Sequence, residues 1–308
     1  MTAPAQTPLP VAIEPAHDPH LVDAVTSAGG EIVPLEEARV LVWIGEPNDF
    51  PPLPDAIDWV ALKTAGIEGF RAAGVIDDRR RWTNASGFYA AGCAEHALGL
   101  LLAGIRQISA AVFSGHWDQT LPPKVQTLRG ATVAIIGAGG IGRELTPRLT
   151  ACGARVVAVN RSGTAVEGAD RTLPVTQLRQ VLTDADHVVL AAPATAQTRH
   201  LINDDTLALL KPHSWIVNVA RGPLIDQEAL GRALRAGIIA GAALDVTDPE
   251  PPADDDPLWS LPNLIVTPHI ANPSPGLTRE MAPWLAENVR RFRAGEELIS
   301  VVDPASDY

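Results

Sequence analysis

Cysteine is scarce in this 308-residue sequence: Cys93 and Cys152 are the two present and cannot build a disulfide framework, so a reducing compartment is expected. Positive charge is also in short supply. Lys and Arg total 24 against 36 Asp and Glu, a formal net charge of −12, which argues against a sequence-independent grip on nucleic acid. A small anionic substrate stays open, since it needs only local cations. Long hydrophobic runs are missing: the most apolar stretch, Ala90 to Ile105, is interrupted by Glu95 and His96 and is too short to span a bilayer. The start, Met1-Thr2-Ala3-Pro4, has neither the basic patch nor the apolar core of a signal peptide. A cytoplasmic protein with no membrane partner is expected. Metal-ligand spacing is absent too, because the cysteines are far apart and no His pair stands at i, i+4 with a carboxylate. Asp254-Asp255-Asp256 reads as a solvated run in a Pro-rich loop. Neither a nucleophile elbow nor a phosphate loop with its lysine is found.

What is there is an ordinary globular balance, 46% apolar and 19% charged, on a chain long enough for two domains. Apolar β-rich runs alternate with helical patterns, which predicts parallel sheets covered by helices. In the first part, strands are predicted at Val11–Ile13, Glu31–Val33, Val40–Ile44 and Ile57–Leu62, with a helix from Pro19 to Ala28 and a Pro-rich loop from Pro47 to Pro54. One long helix is predicted from Ala90 to Val112, then a connector from Trp117 to Arg129. A stronger βαβ series follows: strand Thr132–Ile136, helix Ile141–Ala151, strand Arg155–Val159. Later strands are predicted at His187–Ala191, Trp215–Asn218, Ala240–Leu244 and Leu264–Val266, with helices at Asp226–Ala236 and Thr278–Ala294. Pro147 conflicts with the helix that contains it.

The decisive local feature is Gly137-Ala138-Gly139-Gly140-Ile141-Gly142, which follows an apolar strand and opens a helix. In that setting G-x-G-x-x-G marks a dinucleotide site. Gly137 permits the tight turn, Gly139 the approach of a pyrophosphate, and Gly142 close packing of helix on strand, while the helix N-terminus offers free N–H groups to the anion. At the end of the next strand, an NAD site usually has Asp or Glu to bind the ribose hydroxyls. Here Asn160-Arg161-Ser162 stands instead: no carboxylate to repel a 2′-phosphate, one cation and hydroxyl donors at Ser162 and Thr164, which favours NADP(H). The alternative is that Asn160 bonds a ribose hydroxyl and Arg161 faces water.

Three polar signatures follow at predicted strand ends: Asn218-Val219-Ala220-Arg221-Gly222, Leu244-Asp245-Val246-Thr247-Asp248-Pro249-Glu250-Pro251 and Thr267-Pro268-His269-Ile270. With the glycine loop, Ala94-Glu95-His96, Arg106 and Gly115-His116-Trp117, they resemble the D-isomer-specific 2-hydroxyacid dehydrogenase family from about residue 60 onward. The resemblance implies that Arg221 binds the substrate carboxylate and polarises the 2-carbonyl, that His269 is the acid/base, and that Glu250 pairs with it. It implies that Asp245 bonds the nicotinamide carboxamide near the Ala220 backbone, and that Pro193 and Thr198 lie along the cofactor. Thr64-Ala65-Gly66-Ile67 matches the family's glycine turn, so the backbone of Ala65, Gly66 and Ile67 is expected to hold the substrate carboxylate; Glu68 departs from the usual Asp. Glu95 and His96 read as a structural pair on a buried helix.

The expected fold is α/β: two Rossmann-like or flavodoxin-like domains with parallel sheets, the dinucleotide-binding domain (98–283) inserted into a substrate domain (1–97 and 284–308). The expected activity is reduction of a small 2-oxo acid, of glyoxylate or hydroxypyruvate type, to the D-2-hydroxy acid, with NADP preferred over NAD and a homodimer as the assembly. Alternatives are a 3-phosphoglycerate dehydrogenase-like enzyme using NAD and a non-catalytic, dinucleotide-sensing corepressor-like protein.

Overall fold

The computed structural model describes residues 7–272 and 276–303. They form two compact units, one from the described residues up to Tyr89 together with those after Asn272, the other from Ala90 to Asn272. The sequence placed these divisions at 97/98 and 283/284, eight and eleven residues further along. The earlier first division follows from the helix Ala90–Ile105, which packs along its length on the second unit. Residues 1–6, 273–275 and 304–308, which the expected domain limits include, lie outside the described residues.

The first unit is a five-stranded parallel sheet ordered β2-β1-β3-β4-β5: β1 Leu9–Glu14, β2 Gly30–Ile32, β3 Val40–Trp43, β4 Trp59–Leu62 and β5 Arg81–Asn84. Alternation puts Val11, Ile13, Val42 and Ala61 on one face, against α1 (Pro19–Ser27) and the last helix, Leu277–Ala294. Ala12, Leu41, Val60 and Leu62 point to the other face, around Phe70 of α2 (Glu68–Ala72) and Trp82. Helix α1 starts where the sequence says it should: Asp18 accepts from the His20 N–H at 2.9 Å, and Pro19 opens the first turn. Strand β5 is absent from the sequence-based prediction because Arg-Trp-Thr-Asn has no apolar run; as an edge strand it buries only Trp82 and Thr83 fully.

The second unit begins with α3 (Ala90–Ile105) and α4 (Ile108–Ser114). The single helix predicted from Ala90 to Val112 is thus broken. Gln107 takes a left-handed φ of 59° and its N–H closes onto the Gly104 carbonyl, so the axis bends by 61°. No single helix among the described residues is long and apolar enough to cross a membrane. The sheet comprises β6 Thr132–Ile136, β7 Arg155–Asn160, β8 Arg171–Pro174, β9 His187–Leu190, β10 Trp215–Asn218, β11 Gly241–Leu244 and β12 Leu264–Val266. Its order is β12-β11-β10-β9-β6-β7-β8, and every pairing is parallel. This is the doubly wound arrangement, with the strand order reversing between β6 and β9, where such sheets bind ligands. Helix α5 (Gly140–Ala151) runs on through Pro147, which lies on its exposed face, where the carbonyl left without a partner can meet water. The expected α/β fold of two parallel-sheet domains is therefore what the chain adopts.

Candidate active site

The glycine loop lies at the carboxyl end of β6. Gly137 has φ +92°, and a Cβ there would fall 2.3 Å from backbone atoms of Ala192, so only glycine lets this turn close on the end of β9. The N–H groups of Gly137 and Ala138 both donate to the Val159 carbonyl at 2.9 Å, tying the turn to β7. At Gly139 the surroundings invert: a Cβ there would meet no protein atom within 4 Å. Gly139 is also the N-cap of α5 and supplies no side-chain bond to the helix's first N–H groups, which Gly140 and Ile141 begin. Gly142 is buried, with Ile135 and Ala138 tight against it. An open face above uncapped helix amides at a switch point has the shape and donors that seat a pyrophosphate, so these residues fit a dinucleotide.

At the end of β7 the Asn160 side chain is spent on its own loop. Its amide N–H donates to the Thr164 carbonyl at 2.7 Å and its oxygen accepts from the Gly163 N–H at 2.6 Å. Asn160 thus shapes the loop, and its neighbours Arg161 and Ser162 are exposed; the Ser162 and Thr164 hydroxyls lie 2.7 Å apart. After β9, Thr198 staples the loop that Pro193 begins: its hydroxyl donates to the Pro193 carbonyl at 2.7 Å and accepts from the Thr195 N–H at 2.8 Å.

The ends of β10, β11 and β12 carry the polar signatures. Asn218 accepts from the Ala220 N–H at 3.0 Å and donates to the Arg221 carbonyl at 2.9 Å, which fixes the backbone around Arg221. The Arg221 guanidinium donates to the Ala220 carbonyl at 2.7 Å. A Cβ on Gly222 would lie 1.8 Å from the Thr247 carbonyl oxygen, so glycine is what brings the Arg221 loop onto the loop that carries Glu250. There Glu250 accepts from the Thr247 N–H at 3.3 Å and from His269 Nδ1 at 2.6 Å. The Nδ1 proton is committed to the carboxylate, so Nε2 is the ring nitrogen not engaged by Glu250; the His269 side chain is 48% exposed.

Asp245, which the resemblance places at the nicotinamide carboxamide, directly follows β11. Its carboxylate is 1% exposed and engaged within the protein, accepting from the Thr267 hydroxyl at 2.6 Å and from the Ile270 and Ala271 N–H groups at 2.9 Å each. It anchors the turn that presents His269. His96, read from sequence as structural, reaches the same carboxylate at 3.3 Å. Nothing in the sequence signals that contact, because its partners lie more than a hundred residues away. Cys93, one turn before His96 on α3, is pushed up to about 11 by burial and by the Asp245 charge, with Arg221 opposing, so its thiol stays protonated.

Within the first unit, the turn at Ala65, Gly66 and Ile67 follows β4. Thr64 donates to the Gly66 carbonyl at 2.7 Å and Asn84 to the Ala65 carbonyl at 2.6 Å, which stiffens it. Its three N–H groups have no acceptor among the described residues. Among the described residues no cluster of His, Cys, Asp or Glu could hold a metal ion.

Comparison with known proteins agrees with this geometry. The family model for the NAD-binding domain of D-isomer specific 2-hydroxyacid dehydrogenases matches residues 97–271. An uncharacterized protein encoded in the proB 3′ region of Corynebacterium melassecola is 38% identical over 94% of this chain and 98% of its own. A glyoxylate reductase of Pyrococcus furiosus is 36% identical over 66% of this chain, a match that spans 63% of the reductase's length. The crystal structure of a D-isomer specific 2-hydroxyacid dehydrogenase from Xanthobacter autotrophicus Py2, in complex with NADPH and MES, superposes with a TM-score of 0.81 at 28% identity, covering 96% of this chain and 98% of that one. With a doubly wound second unit, a glycine loop at its switch point and a match over more than half its length, the chain belongs to the D-isomer specific 2-hydroxyacid dehydrogenase family of oxidoreductases.

Proposed function

We propose that the protein is an NADP(H)-preferring reductase of small 2-oxo acids, of the glyoxylate and hydroxypyruvate type, giving the D-2-hydroxy acid. The observation that carries this reading is the Glu250–His269 pair, 2.6 Å apart at the carboxyl edge of the second sheet, with Nε2 left for the substrate. A bound nicotinamide supplies hydride to C2. His269 Nε2 gives its proton to the carbonyl oxygen, and Glu250 holds the ring in the orientation that makes this possible. Arg221, a planar and permanently charged donor, binds the substrate carboxylate and polarises the carbonyl. In the first unit, the backbone N–H groups of Ala65, Gly66 and Ile67 are assigned as donors to a carboxylate.

For the cofactor, the Gly137–Gly142 turn holds the pyrophosphate, and the loop begun by Pro193 and closed by Thr198 borders it. Ala220 flanks the nicotinamide end, and Asp245 is assigned to the carboxamide as well as to anchoring the His269 turn through Thr267, Ile270 and Ala271. Preference for NADP(H) rests on exposed Arg161 and Ser162 after a strand end without a carboxylate. The NADPH complex of the Xanthobacter relative and the name of the Pyrococcus relative support the cofactor and the substrate class.

A homodimer is proposed from the apolar surface that the break at Gln107 exposes, where Phe113 and Trp117 are 83% and 87% exposed. Two free thiols fit a cytoplasmic location. The test of the reaction is turnover of hydroxypyruvate with chiral analysis of the glycerate formed, by the wild type and by His269→Ala. D-glycerate from the wild type, and a rate reduced about 10²–10⁴-fold in the variant, is expected. L-glycerate, or a variant as fast as the wild type, would overturn the assignment.

A further inference from the structure

We infer that His96, on α3, is a positioning residue for the acid/base His269. The inference rests on the reading of the site as a 2-oxo acid reductase. His269 sits at φ +53°, a left-handed conformation that side-chain-bearing residues seldom adopt and that persists only where its surroundings over-determine it. Here those surroundings are one buried carboxylate and the groups bonded to it. The His269 N–H donates to the Asp245 carbonyl at 2.9 Å and to the Thr267 carbonyl at 3.0 Å. The next two N–H groups, of Ile270 and Ala271, donate to the two Asp245 carboxylate oxygens at 2.9 Å each. On the other side of His269 along the chain, the Thr267 hydroxyl donates to Oδ1 at 2.6 Å.

His96 closes this arrangement from a different element. Its Nε2 lies 3.1 Å from Thr267 Oγ1 and 3.3 Å from Asp245 Oδ1. The direction of these bonds is forced. Thr267's one hydroxyl hydrogen is committed to the carboxylate, and an ionised carboxylate only accepts. Nε2 must therefore carry a proton and donate it, shared between the hydroxyl oxygen and Oδ1. His96 thus adds the donor from α3 that ties the Thr267–Ala271 turn to the helix layer, whereas among the described residues the other donors to the Asp245 carboxylate come from the turn itself. Removing it leaves the buried carboxylate one donor short and lets the turn relax. The His269 ring then drifts from the position Glu250 holds at 2.6 Å. His96 is assigned no contact with the reacting atoms; it acts through Asp245 and Thr267.

The experiment has two arms. In the first, proton–nitrogen correlation spectra of the histidine-labelled wild-type protein, assigned with His96→Gln, report which ring nitrogen of His96 is protonated. An Nε2-protonated ring is expected, and an Nδ1-protonated ring overturns the inference. In the second, steady-state kinetics compare His96→Ala with His96→Gln, whose amide reaches the same place as Nε2. His96→Ala should lower kcat about 10- to 100-fold, the scale of a small misplacement of a catalytic group, with KM for the 2-oxo acid and Kd for NADPH within threefold of wild type. His96→Gln should recover most of the loss. An alanine variant within twofold of wild type, or a glutamine variant no better than alanine, overturns it. If His96→Ala fails to fold, Thr267→Val removes the shared hydroxyl, and the same selective loss of kcat is expected; unchanged kcat overturns the inference. Absence of wild-type turnover with every 2-oxo acid would sink the reductase reading, and the ring resonances would then decide this one.

Discussion

Alanine at Gly137 and alanine at Gly139 separate folding from cofactor binding, because the two glycines have opposite surroundings. At Gly137, φ +92° costs an L-residue about 1–2 kcal/mol. A methyl group 2.3 Å from the Ala192 backbone adds the cost of overpacking, about 1–3 kcal/mol, since backbone cannot step aside cheaply. The sum, about 2–5 kcal/mol, lowers Tm by roughly 5–20 °C for a unit of this size. At Gly139 a methyl group meets nothing within 4 Å, and replacing glycine at an N-cap costs about 1 kcal/mol or less. What that methyl does occupy is the face assigned to the pyrophosphate. Losing one charge-assisted bond from the helix amides removes about 1.5–3 kcal/mol, or about 10- to 100-fold in Kd for NADPH. Thermal melts of the cofactor-free protein and calorimetric titration with NADPH read both quantities. Gly139→Ala is expected to melt near wild type and bind weakly. Unchanged affinity in Gly139→Ala, or a Gly137→Ala variant as stable as wild type, would refute the reasoning.

Other perturbations test other parts of the site. Arg161→Asp places a carboxylate where the 2′-phosphate is assigned, so kcat/KM with NADPH should fall at least about tenfold while that with NADH changes little; an equal effect on both nucleotides would contradict the assignment. Glu250→Gln removes the charge paired with His269 and should lower kcat about 10- to 100-fold with Kd for NADPH unchanged, measured by stopped-flow and fluorescence titration. Acid stability should report His187, which burial holds down to about 4 against an ordinary 6.5, with its ring accepting the Trp215 N–H at 3.3 Å. A base depressed in the folded state contributes stability that is complete above pH 6.5 and is lost as pH falls toward 4. At pH 5 the loss is about 2 kcal/mol. Denaturant melts of wild type and His187→Gln at pH 7 and pH 5 should show that difference in the wild type alone; parallel losses would contradict it. Below that range Asp186 follows: burial pushes it up, but bonds from Lys211, the Thr132 N–H and His213 outweigh this and hold it at about 2.

The parts of the fold that the sequence revealed are those that burial writes into composition. Strands β6 and β9, covered on both faces, are apolar after their first residues, Thr132 and His187, and the turn between β6 and α5 needs glycine where Ala192 comes close. Edge strands β5 and β8 carry Arg, Asn and Pro, because only part of their surface meets the core, and they left no such mark. The break at Gln107 was equally silent, since Arg106 and Gln107 are good helix formers and the left-handed turn there is a local backbone choice. In the site, motif position located Glu250 and His269, which the structure brings into a hydrogen bond beyond the strand ends. It took His96 as structural without naming its partners, and it did not reveal the network around Asp245. Their roles are set by hydrogen bonds to residues 22 to 171 positions away, which no local spacing encodes. Asn160 was read as removing a carboxylate from the ribose end; that its side chain closes a turn on Gly163 and Thr164 was not foreseen, although the interaction is local.

The most direct test of the central claim is kcat/KM for NADPH and for NADH, measured side by side with glyoxylate, hydroxypyruvate, pyruvate and phenylpyruvate. The account predicts turnover of the smaller 2-oxo acids, with NADPH favoured at least about tenfold, the worth of one well-placed charge-assisted contact. Preference for NADH would contradict the role given to Arg161 and Ser162, and no turnover of any of these acids with either nucleotide would contradict the proposed reaction.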